Sequence, residues 1–133
     1  MTEVSYGYTK NLGVIPFDQA LDNVAEALKT EGFGVLTEID IKATLKKKLD
    51  VDFRRYRILG ACNPALAHRA LSRELLVGLL LPCNVVVFEE DDGSVSVSMV
   101  KPKEMFKVTG NQELTRVVGE VDAKLIRVLE AIE

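Results

Sequence analysis

Residues 16–32 read PFDQALDNVAEALKTEG, and the apolar positions Phe17, Ala20, Leu21, Val24, Ala25 and Leu28 recur at the three-and-four spacing of one helical face. Pro16 suits the first turn, where a missing N–H removes no helical hydrogen bond, and Gly32 suits the C-terminal cap. The end of the chain repeats the pattern through Leu114, Val118, Val121, Leu125, Val128 and Ile132. Gly119 interrupts that second helix at a cost of about 1 kcal/mol relative to alanine, so a close packing contact is expected there.

Between the two helices the period changes. FGVLTEIDI (33–41) alternates Phe33, Val35, Thr37, Ile39 and Ile41 against Gly34, Leu36, Glu38 and Asp40, the signature of a half-buried strand. YRILGAC (56–62) and NVVVFEE (84–90) instead place apolar residues at successive positions, as strands buried on both faces or nearly so. EEDDGSVSVSMVK (89–101) predicts a hairpin, with Asp92-Gly93 as a type I′ turn joining Val85–Glu90 to Val95–Lys101. Two shorter helices complete the pattern. IKATLKKKLD (41–50) carries an Ile41, Leu45, Leu49 stripe beside lysines, and PALAHRALSRE (64–74) starts with Asn63 as N-cap and Pro64 at the first helical position. The predicted order is β-α-β-α-β-α-β-β-α. Residues 1–133 thus read as a single α+β domain, one mainly antiparallel sheet with helices packed on one face.

Composition narrows the function classes. With 47% apolar and 28% charged residues, the chain has the balance of a folded globular protein. A net charge of −3, from 17 basic and 20 acidic residues, argues against a nucleic-acid partner, because phosphate binders gather positive charge. The basic group Lys46, Lys47, Lys48, Arg54, Arg55 and Arg57 reads as a solvated helix face followed by an edge strand. The start carries no targeting pattern, and the apolar run from Leu75 to Phe88 is broken by Pro82 and Asn84, short of the roughly 20 residues a membrane span needs. The expected setting is the cytoplasm, with no membrane partner.

The chemistry worth testing lies in the chain's two cysteines. Cys62-Asn63 and Cys83-Asn84 echo one another, each beside a proline, at the end of one predicted strand and the start of the next. If those strands are antiparallel neighbours, both cysteines fall at one sheet edge, and the two sulfurs are expected within a few ångströms. Cys62 also precedes a helix N-terminus, a location that favours a thiolate. The competing reading is that both are packing residues, since cysteine is among the most buried residue types. With two cysteines and one histidine, neither at zinc-site spacing, no metal and no cofactor is expected from the single chain. Asn63, Asn84 and His68 are candidate binding residues near the thiols, and Glu38 and Asp40 form a second candidate pair on one strand face.

The run GFGVLTEIDIKATLKKKLDVDFRRYRILGACNPALAHRAL, followed by GLLLPCNVVVFEEDDGSVSVS, resembles the domain-of-unknown-function 302 family. The strongest marks are Cys62-Asn63-Pro64 and Leu81-Pro82-Cys83. The resemblance covers most of the chain and implies a small α+β fold with a TATA-binding-protein-like layout, a curved antiparallel sheet with helices on one side. It also implies a homodimer, and it brings no established activity. Two functions therefore stand side by side: a thiol-dependent (redox or sulfur-handling) protein using Cys62 and Cys83, or a non-catalytic module that binds a small-molecule ligand or a protein, with structural cysteines.

Overall fold

A computed structural model of the chain describes residues 4–133. The strands are β1 (Gly7–Asn11), β2 (Gly34–Asp40), β3 (Tyr56–Cys62), β4 (Cys83–Glu89) and β5 (Val95–Val100). The helices are α1 (Phe17–Thr30), α2 (Ile41–Leu49), α3 (Pro64–Arg73), a single turn α4 (Pro102–Met105) and α5 (Thr115–Ala131). All strand pairs are antiparallel, in the spatial order β1-β5-β4-β3-β2. The α+β class and the element order match the sequence pattern.

The core lies between the sheet and the two long helices. Val24 and Leu28 of α1 and Leu125 and Val128 of α5 meet Leu59, Val85, Val97 and Met99, all at 2% exposure or less. Burying one such side chain is worth roughly 1.5–3 kcal/mol, so this layer dominates the stability. Helix α1 ends as its glycine predicts. Gly32 takes φ 83°, which lets the Phe33 N–H reach back to the Leu28 carbonyl at 3.0 Å. A second cluster, with Leu66, Val77, Phe106, Leu114 and Val118, fills the space beneath α3.

Edge strand β1 is tied to α5 by side chains. The Tyr8 hydroxyl donates to the Asp122 carboxylate, 3.0 Å from each oxygen, and Asp122 is only 2% exposed. The Lys10 ammonium donates to the carbonyls of Leu129 and Ile132 at the end of α5, where the Leu129 carbonyl also accepts the Ile132 N–H at 3.3 Å.

Four local features differ from the sequence reading. The hairpin does not use a type I′ turn: Gly93 alone takes positive φ, at 86°, and its N–H bonds to the Glu90 carbonyl at 3.0 Å. This is the longer loop in which a type I turn is followed by a left-handed glycine. Asp92 keeps the negative φ usual for a residue with a side chain, and its carboxylate accepts from the Ser94 N–H at 2.9 Å. In β2 the register shifts between Val35 and Thr37, so strict alternation fails and the strand is exposed almost throughout. The Ile41, Leu45, Leu49 stripe of α2 buries none of its residues. Finally, a methyl group placed on Gly119 would meet nothing within 4 Å, so the expected close contact is absent.

That last feature gives a direct expectation. Gly119→Ala removes the flexibility penalty of a helical glycine without creating a clash, and raises stability by up to about 1 kcal/mol. Equilibrium denaturation with urea checks it; a loss of stability contradicts the open space seen at this position.

Candidate functional site

Strand register decides the fate of the cysteines. Cys83 pairs with Ala61, while Cys62 pairs with Gly34 of β2. Ala61 and Cys83 point toward the helices, and Cys62, one residue on, alternates to the other side of β3. The thiols are free and are not near each other, which corrects the expectation of sulfurs within a few ångströms. Cys62 is half-buried and Cys83 is 5% exposed. Burial pushes the Cys83 thiol up from 9.0 to about 11, with a smaller contribution from the charge of Cys62. Cys83 is therefore a protonated, poorly nucleophilic thiol near neutral pH. Both cysteines border an apolar cavity of about 30 Å³ lined also by Phe33, Leu66, Phe106 and Val118. That space is about the size of one water molecule and far below a substrate pocket.

Asn63 has a larger structural role than the N-cap read from the sequence. Its Oδ1 accepts the Leu66 N–H at 3.3 Å, and its Nδ2 donates to the Glu31 carbonyl at 3.1 Å. One amide thus holds the start of α3 against the end of α1. Gly32 is part of the same junction, since a side chain there would come within 3.0 Å of Asn63 Nδ2. Gly60 marks another close approach, where an added methyl would collide with Thr37 Oγ1 and come 2.8 Å from Pro82 Cγ.

The remaining candidates separate. His68 is exposed on α3, and only its backbone carbonyl is engaged, by the Ser72 hydroxyl at 2.7 Å. Glu38 and Asp40 do share a face, but both pair with Arg57, at 2.6 Å and 3.3 Å. Asp40 also caps α2 through the Ala43 N–H at 3.0 Å. The Asp40–Arg57 pair borders a cleft of about 350 Å³ shared with Asp18, Lys42 and Arg55. The basic group is largely matched within the chain: Lys46 pairs with Asp50, Arg54 with Asp91 and Arg55 with Glu89. Among the described residues, no three His, Cys, Asp or Glu side chains are placed to hold a metal ion, and no helix is long and apolar enough to cross a membrane.

Asn84 is exposed, opposite Gly60, on the sheet face that α1 and α5 leave open. Its neighbours on that face include Ile58, Val86 and Phe88 of the central strands and Ile39 of β2. Tyr56 stacks on Phe88 with ring centroids 5.6 Å apart. Neither hydrophobic core cluster includes a residue of this face. These positions were not singled out as a site from the sequence. The signal was present all the same, in strands whose apolar residues do not alternate.

Residues 8–132 match the family model described as domain of unknown function DUF302. The chain belongs to the DUF302 family. It is also similar to the crystal structure of an uncharacterised conserved DUF302 protein from Bacillus stearothermophilus, at 30% identity and a TM-score of 0.88, covering 98% of this chain and 100% of that one. No curated protein matches. DUF302 membership accounts for the fold and assigns no chemistry to Cys62 or Cys83.

For this DUF302 protein the Asn63 junction is testable by its two separate bonds. Asn63→Ala loses both the cap and the tie to Glu31, and costs roughly 1–3 kcal/mol in urea denaturation. Asn63→Asp keeps the capping oxygen and loses only the donor, so its cost falls between wild type and alanine. Equal costs for the two variants contradict the double role.

Proposed function

We propose that this protein is a cytoplasmic, non-catalytic binding module, that its binding surface is the open face of the sheet, and that Cys62 and Cys83 are packing residues. The observation that carries this reading is the composition of that face. Ile39, Tyr56, Ile58, Val86 and Phe88 form a continuous apolar patch across β2, β3 and β4, and no strand position on the face carries a charged side chain. In a chain with 28% charged residues, such a surface is unusual unless something covers it. Free thiols suit the reducing cytoplasm. A thiol-dependent reaction has weaker support: Cys83 is buried with its pKa raised to about 11, the sulfurs are apart, and the cavity beside them has no room for a substrate.

Alkylation across pH separates the two readings. Native Cys83 should stay unmodified by iodoacetamide at pH 8 and react once the protein unfolds; rapid modification in the native state overturns the packing assignment. Stability supplies a second check. Because the folded-state pKa lies above that of the unfolded chain, the folded state binds the extra proton, and its advantage is lost as pH rises from about 9 to about 11. The loss is on the order of 2 kcal/mol. Cys83→Ala should lack this component, as read by denaturation at pH 8 and pH 10.5.

A further inference from the structure

We infer that a second binding site, separate from the open sheet face, lies between α4 and the start of α5, and that it takes a small amphipathic anion, one carboxylate carried on a compact apolar body. The cleft there has a volume of about 420 Å³, within the roughly 300–1,000 Å³ range of small-ligand sites. Its inner wall is apolar, made by the buried side chains of Phe106, Leu114 and Val118. Polar groups stand beside that wall. The Gln112 side-chain amide and the Thr115 hydroxyl have no hydrogen-bond partner among the described residues. Asn111, by contrast, is already engaged: its amide donates to Glu74 at 3.1 Å, and its oxygen accepts the Glu113 N–H at 2.9 Å. A few free polar groups beside an apolar wall are what orient a small ligand.

Charge selects the occupant. Lys103 and Lys107 line this cleft and no carboxylate does, although the chain carries a net charge of −3. The clefts beside Asp40, Asp92 and Glu26 all contain acidic residues. Both ammonium groups can turn to a ligand. Lys107 pairs with Glu104 at 3.0 Å, and Lys103 lies 3.9 Å from an Asp122 carboxylate that already accepts from Tyr8. The two lysine side chains are 68% and 64% exposed, and ion pairs of such groups are weak enough to exchange. A carboxylate held against the apolar wall gains more, since the wall keeps water from one side of the new pair. A neutral apolar molecule would leave both lysines unused. A small inorganic anion would leave Phe106, Leu114 and Val118 uncovered.

Amide chemical shifts of the full chain, titrated with octanoate and separately with phenylacetate, test the assignment. At least one acid should shift the amides of Phe106, Gly110, Thr115 and Val118 saturably, and the tighter binder identifies the apolar body as alkyl or aryl. Octanol lacks the charge and acetate lacks the chain, so each should bind at least about tenfold more weakly. Lys103→Gln with Lys107→Gln should weaken the acid by about tenfold or more. Lys107→Gln alone, whose lysine pairs only with Glu104, should weaken it severalfold and decides the matter where the double variant fails to fold. Lys47→Gln with Lys48→Gln removes the same charge from α2 and should leave the affinity unchanged. The proposal is overturned by the absence of saturable shifts with either acid, by octanol binding as tightly as octanoate, or by affinity that survives the cleft substitutions. An equal loss in the α2 variant overturns it too. Shifts confined to Ile39, Ile58 and Val86 would remove this site while keeping the open face as a binding surface.

Discussion

Two helices of this chain are long enough to shield a sheet, and both lie on the same side. Each covers a strip about 10 Å wide, whereas five strands span about 24 Å. The 14 residues of α1 and 17 of α5 therefore suffice for most of one face and leave nothing for the other. Much of the molecule follows from that limit. Strand β2, at the margin of the covered strip, is exposed almost throughout, and its inward positions Glu38 and Asp40 meet Arg57 rather than a helix. Both carboxylates are matched by one guanidinium at that exposed edge. Ion pairs this exposed contribute little stability, but they keep apolar groups of the edge from being its only feature.

The same limit explains the cysteines. Cys83 falls under the helices because it shares the face of Ala61, and burial alone is enough to suppress its ionisation. Cys62 falls on the other side by the period of the strand. Their matching sequence contexts arise from two strand ends at one edge of the sheet, each followed or preceded by a change of direction that proline and asparagine serve. Similar settings in sequence became different environments in space, since one residue of register reverses the face.

Much of the fold was legible because the long helices and the hairpin carry regular periods and end in residues with a single structural use. Gly32, Asn63 and Pro64 all stand where the sequence places them. What was not legible depended on partners distant in the chain. Nothing local reveals that Asn63 also holds the Glu31 carbonyl, or that Tyr8 reaches Asp122, 114 positions away. The shift in β2 was hidden because Val35, Leu36 and Ile39 look alike to any count of apolar residues. Gly119 misled for the opposite reason: a costly residue invites an explanation by contact, and the contact is not there. The open face was not legible as a surface either, because its apolar positions lie on strands that also supply the core.

The polar half of the open face completes the physical case that it can be covered. Burying a hydroxyl or amide without a partner costs about 1–3 kcal/mol, which would penalise an interface across β5 and β1. Here the groups are already matched sideways. The Thr9 and Ser98 hydroxyls lie 2.8 Å apart, and the Asn11 amide donates to the Ser94 and Ser96 hydroxyls at 2.9 and 3.1 Å. Ser96 in turn donates to Glu90 at 2.7 Å, which draws that carboxylate to the corner of the face and away from its centre. These bonds run along the sheet, between neighbouring strands, and do not depend on water above it. Covering them sacrifices little hydration, while covering Ile58, Val86 and Phe88 gains the full apolar contribution. The two halves of the face thus differ in kind: apolar side chains make up one, and hydrogen bonds between neighbouring strands satisfy the polar groups of the other.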